Sequence, residues 1–301
     1  MSPLIIALVA VSAVLHLAWN VRLKTAGEPL RAATIGLVAA SVGIVPIGLA
    51  AWWVSGGVAL PPEGIALGLA SGVVEAAYFI FLAAAYRRGD LSVVYPIARG
   101  TAPLLAVAIG VGVFGERLGV AGSVGVACLI AGFLILQRPW RALAWARRGD
   151  VAGRRSARDS AILFALATGV MIATYTAIDR VGARLISPFP YAAILWLTGS
   201  VLLLVWVRFV AGGDLLRDGS EAARRSAVGG WLTLAAYMCI LIALSVAPLS
   251  GVAPLRESAT VFAAAWGAVR MGEASDRTEA TRRIGASVLI VGGALLLAVG
   301  G

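Results

Sequence analysis

The chain has 301 residues, of which 60% are apolar and only 13% charged, with a mean hydropathy of +0.92 and a net charge of +10. A soluble domain is roughly 45–50% apolar and about 25% charged, so the composition excludes a soluble globular protein and makes lipid the solvent for much of the surface. The basic excess sits in short connections between apolar runs and is not interleaved with aromatic residues on a polar surface, which argues against a nucleic-acid partner.

A bilayer span needs about 20 mainly apolar residues. Ten such runs fit: 3–22, 31–54, 63–86, 91–113, 118–136, 160–181, 189–210, 228–246, 250–271 and 282–300. They are continuous and lack strand-like alternation, so they read as helices of an all-α integral membrane protein. Met1-Ser2-Pro3 carries no positive n-region and no convincing cleavage site follows, so the first run reads as a span and not as a cleaved signal.

In the first span His16, Trp19 and Asn20 fall at i, i+3 and i+4 and form one stripe, which should face protein or water instead of lipid. The third span carries Gly64, Gly68 and Gly72 at four-residue spacing, then Glu75 near the bilayer midplane with Tyr78 one turn on. A charge at that depth costs about 2.5–3.5 kcal/mol on insertion scales, so Glu75 is the sharpest candidate for a substrate-contacting or proton-carrying group. The fourth span holds Arg99 between Pro96 and Pro103, at a depth from which its side chain and that of Glu75 could meet. Tyr175, Trp196 and Tyr237 in the sixth, seventh and eighth spans are candidates for an aromatic cavity wall. The ninth span contains Arg256 and Glu257, opposite charges suited to the two ends of a zwitterion. Cys128 and Cys239 read as packing residues, and nothing suggests a metal or another cofactor.

Orientation follows from the basic residues. The connections after spans 1, 3, 5, 7 and 9 hold 20 Lys and Arg, whereas the opposite side holds only Arg117, Arg180 and Arg184. The positive-inside rule puts the first set in the cytoplasm and both termini outside. The segment 137–159 then reads as a basic cytoplasmic linker suited to anionic lipid headgroups. It separates a first five-helix repeat, 1–136, from a second, 160–301. The repeats align weakly. Leu91-Ser92 and Pro96 match Leu249-Ser250 and Pro254, and Gly115-Glu116 matches Gly272-Glu273. Five is odd, so the repeats must insert in opposite senses, an arrangement typical of carriers.

Pro96, Gly115-Glu116-Arg117-Leu118 and the glycine-rich last helix resemble the repeated unit of the drug/metabolite transporter superfamily, and more narrowly its ten-helix EamA type of exporter. The second repeat departs from the pattern, with Ala274-Ser275 after Gly272-Glu273. The resemblance implies export of a small metabolite, amino acids and aromatic amino acids among them. A drug exporter or lipid-linked sugar flippase of the same superfamily and a non-transporting membrane subunit are the alternatives. No G-x-x-x-x-G-K-[ST], H-E-x-x-H or G-x-S-x-G occurs, so neither an ATP-driven pump nor a membrane enzyme is indicated. The reading is a secondary transporter of a small molecule in a bacterial inner membrane, with proton coupling compatible with Glu75.

Overall fold

A computed structural model describes residues 1–24, 28–88, 91–138, 140, 152–211, 213–256 and 277–300. Ten helices are described: α1 Pro3–Lys24, α2 Pro29–Val54, α3 Pro62–Arg88, α4 Leu91–Gly112, α5 Val120–Gln137, α6 Ala152–Leu185, α7 Pro188–Val205, α8 Gly219–Val246, α9 Leu249–Arg256 and α10 Arg277–Gly300. No strand occurs among the described residues. A π-helical turn, Trp206–Val210, continues α7.

Helix starts follow local chemistry. Glu28 caps α2, its carboxylate accepting the Arg31 N–H at 2.7 Å, and Pro29 occupies the first turn, where a missing N–H costs nothing. Arg87 and Arg88 close α3, where cations complement the helix dipole. The α4–α5 connection turns at Gly115, whose φ of +64° is costly for residues with a Cβ. Two helices run further than their apolar stretches: α6 starts at Ala152 and α8 at Gly219, several residues before the predicted spans at 160 and 228. No proline interrupts those lead-in sequences, so the helix continues beyond the apolar stretch.

Five described helical stretches are long and apolar enough to cross a membrane: Pro29–Val54, Pro62–Arg88, Ser160–Leu185, Pro188–Val210 and Gly219–Val246. Shorter apolar stretches occur in α1, α4 and α5. Large apolar side chains such as Val42, Leu163 and Phe209 lie exposed on the outer surface, at 72%, 66% and 76%. That is the surface of a protein whose solvent is lipid, and the protein is an integral membrane protein.

The packing repeats itself. Helix α1 packs on α8 as α6 packs on α3, and α2 packs on α8 as α7 packs on α3. The pairs α2–α7, α4–α9 and α5–α10 each join a helix to the one five places later. Exchanging every helix with its counterpart five places along therefore maps these pairings onto themselves. This pattern fits two inverted five-helix units sharing one core, in which Tyr191, Leu195, Trp196, Leu203 and Leu244 are fully buried.

Close helix crossings depend on missing side chains. A Cβ added at Gly230 on α8 would lie 2.0 Å from the Gly36 carbonyl oxygen on α2, whereas one at the adjacent Gly229 would meet nothing within 4 Å. Overpacking typically costs about 1–3 kcal/mol. Gly230→Ala should therefore lower the thermal unfolding temperature in detergent, while Gly229→Ala leaves it close to wild type; a scanning melt of the two variants checks this.

Candidate functional site

Seven of the predicted residues converge. His16 and Trp19 from α1, Glu75 and Tyr78 from α3, Tyr175 from α6, Tyr237 from α8 and Arg256 from α9 line a small interior space of about 20 Å³. Ser12, Phe79, Thr233 and Ala236 complete the wall. A space of that size holds about one water molecule. Trp19, Phe79 and Thr233 also border a second cavity of about 690 Å³. Its rim carries Arg31, Asp218, Glu221 and Arg224, and Gly36 and Gly230 form part of its wall. The large cavity therefore lies on the side of the basic connections, and three side chains border both spaces.

The aromatic residues form a connected wall. Tyr78 and Tyr175 meet edge to face with centroids 6.0 Å apart, and Tyr175 and Tyr237 do so at 5.9 Å. Arg256 lies across them: its guanidinium sits 5.3 Å from the Tyr237 ring centre, and it donates to the Tyr175 hydroxyl at 3.5 Å. A cation over an aromatic face gains from the ring quadrupole, most of all when desolvated.

The two donors around His16 compete. The Trp19 indole N–H donates to His16 Nδ1 at 3.1 Å, and Arg99 contacts Nε2. Indole and guanidinium nitrogens only donate, and a neutral imidazole offers one acceptor nitrogen. The ring can therefore accept from only one of the two at a time. The predicted reach from Arg99 to Glu75 is not made, because Arg99 turns toward α1 instead. Trp196 is buried in the core and does not line the interior space. The side chain of Asn20 and the whole of Glu257 lie outside the described residues.

Two acidic residues outside the predicted site make the other buried contacts. Asp179 on α6 is fully buried and accepts hydrogen bonds from Ser71 of α3 at 2.5 Å, from Tyr191 of α7 at 2.8 Å and from Tyr237 of α8. Gly182 leaves room for Tyr191 to reach it, since a Cβ there would lie 2.1 Å from that ring. In the sequence Asp179 precedes Arg180 near the end of an apolar run and looks like an interfacial charge. The signal that could have found it is helical spacing, since Asp179 follows Tyr175 by four residues and shares its face.

Glu116 is the other. It lies between α4 and α5, and its carboxylate caps the start of α9, accepting from the Leu249 N–H at 2.8 Å, the Ser250 N–H at 2.8 Å and the Ser250 hydroxyl at 2.6 Å. Arg180 Nε approaches the same carboxylate at 2.7 Å without aiming its N–H at it, a charge contact more than a hydrogen bond. Arg184 donates to the Leu244 and Ala247 carbonyl oxygens at 3.2 and 3.0 Å. Gly110 makes space for this cluster, because a Cβ there would come within 2.5 Å of Glu116 Oε2. The contacts tie the α4–α5 connection and α6 to the α8–α9 turn.

Residues 159–299 match the model of the EamA-like transporter family. No curated protein matches the chain. Among solved structures, one described only as "Crystal structure of protein" superposes with a TM-score of 0.71 at 20% sequence identity, covering 99% of this chain and 98% of its own. At that identity the likeness establishes the fold alone. The class defined is a helical integral membrane protein whose second half is similar to the EamA-like transporter family.

Burial alone would raise the Glu116 carboxyl, but the hydrogen bonds from Ser250 and Leu249 and the charge of Arg180 outweigh it and hold the group below the ordinary carboxylate range. A lowered folded value means the stabilisation is complete above the unfolded value of about 4.3 and is lost as pH falls through the folded one. Hydrogen bonds to a charged group are worth about 1.5–3 kcal/mol. Glu116→Gln should therefore melt earlier than wild type at pH 7, and the gap should close as melts are repeated toward pH 4 and below.

Proposed function

We propose that the protein is a secondary carrier that exports a small zwitterionic metabolite, an amino acid and in particular an aromatic one, by alternating access between two inverted five-helix repeats, 1–136 and 160–301. The observation that carries this reading is the convergence of an acid, an arginine and tyrosines, drawn from both halves, on one interior space beside a large open cavity. Arg256 offers a cation to a carboxylate, Glu75 offers a carboxyl group to an ammonium, and Tyr78, Tyr175 and Tyr237 offer ring faces to an apolar or aromatic side chain. Trp19 and Arg99, which both reach His16, bring further N–H groups to the site.

The basic connections face the cytoplasm of a bacterial inner membrane in this reading, with both termini outside. The large cavity is then a cytoplasmic vestibule, and the Glu116 cluster is the seal on the outer side. Substrate enters past Arg31 and Asp218, which pair at 2.6 Å on the rim, and moves inward when Trp19, Phe79 and Thr233 give way. The basic linker 137–159 rests on anionic headgroups.

The test is counterflow in proteoliposomes with each of the proteinogenic amino acids. Removing one partner of a desolvated charge contact costs about 2–5 kcal/mol, so Glu75→Gln and Arg256→Gln should each reduce flux by about tenfold or more while remaining monodisperse in detergent. Wild-type rates in both variants would remove the interior space as the substrate site.

A further inference from the structure

Two carboxylates lie buried in the same region and are treated differently by their surroundings. Asp179 receives three hydroxyl donors from three helices. Glu75, one turn along α3 from Ser71, is only 7% exposed, and its Oε2 has no hydrogen-bond partner. Arg256 lines the same space but makes its contacts with Tyr175 and Tyr237. On the α7 side it faces Gly199, where a Cβ would stand 3.7 Å from Oε2, so the backbone there supplies space and no donor. The titratable and charged groups grouped around the Glu75 space are Tyr78 on its own helix, Asp179 and Tyr175 on α6, Tyr237 on α8, Arg256 on α9 and His16 on α1, with Arg99 of α4 behind His16.

An anion in a dry interior is sustained by donors aimed at it, and a second anion nearby is disfavoured both by its neighbour's charge and by its own lost hydration. Three hydroxyls meet this demand for Asp179, and no such set serves Glu75. We propose that Glu75 is the exchangeable acid of this carrier, protonated in the present state, with Asp179 as the fixed anion that enforces it. The inference rests on the transport reading and deepens it.

The proton route is short. The space of about 20 Å³ beside Glu75 has room for one water and shares Trp19, Phe79 and Thr233 with the vestibule. When a substrate ammonium group arrives, the Glu75 O–H bond breaks, the proton passes to vestibule water, and the carboxylate pairs with the ammonium. After the halves rock, the substrate leaves on the opposite side and a proton from water there re-forms the O–H bond. One proton is thus exchanged per substrate, and Glu75 holds one or the other.

Infrared spectroscopy of the full-length protein in lipid vesicles reads the protonation state directly. At neutral pH the wild type should show the C=O stretch of a buried protonated carboxyl, shifted in D2O. Glu75→Gln should lose it. Asp179→Asn should weaken it, because the repelling neighbour has gone, an effect that a purely structural role for Asp179 would not produce. Absence of the band in wild type, its survival in Glu75→Gln, or an unchanged intensity in Asp179→Asn that is folded and monodisperse would overturn the proposal. If that variant does not fold, wild type and Glu75→Gln decide. Amino-acid counterflow in the same vesicles separates the two readings: flux without the Glu75 band removes the proton exchange and leaves the transporter, whereas the band without flux removes the transport reading and the exchange with it.

Discussion

Charge in hydrocarbon must be solvated by protein. A bilayer core offers no hydrogen bonds, so every buried ionisable group has to find donors, acceptors or opposite charge on neighbouring helices. The interior of this molecule is arranged around that demand. Asp179 draws α3, α7 and α8 onto α6 through three hydroxyls. Arg256 is spread across two tyrosines. Each contact that makes a charge tolerable also fixes how two helices sit against each other, so the groups that define the site also hold the bundle together.

Much of the helical content and part of the site were legible from sequence, for physical reasons that apply residue by residue. Glu75, His16 and Trp19 stood out because a polar group in a long apolar run needs an explanation, and each lines the interior space. Tyr175 and Tyr237 were weaker candidates, yet they join Tyr78 in one wall. Trp196 carried the same compositional signal and belongs to the packed core, because an indole is as good at filling volume as at binding. Asp179 was hidden by its neighbour Arg180, which made a buried anchor look like an ordinary end-of-span charge pair. Glu116 was visible as half of a Gly-Glu motif. Its partners were not, since they are backbone N–H groups of Leu249 and Ser250, more than 130 positions away, and backbone donors leave no mark in the residue alphabet. The ends of α6 and α8 were also illegible, because hydropathy reports where lipid stops and not where the helix does.

The two ends of the bundle differ in what closes them. On one side, charged residues stand around an open cavity of about 690 Å³. On the other, Glu116, Arg180 and Arg184 knit α6, the α4–α5 connection and the α8–α9 turn through hydrogen bonds and charge. Helix contacts such as Gly36 against Gly230 bring backbone against backbone, and beside them Gly43 admits the Trp231 ring. Small residues at such a crossing let the two backbones approach closely.

The narrowness of the inner space has an energetic meaning for a cell. Membranes that store work as an ion gradient lose it through any unbroken column of liquid, however slender. A space with room for about one water, sharing an indole, a phenyl ring and a threonine with the larger cavity, is too small to hold such a column. Insulation of a resting membrane thus falls to the few side chains that border both spaces.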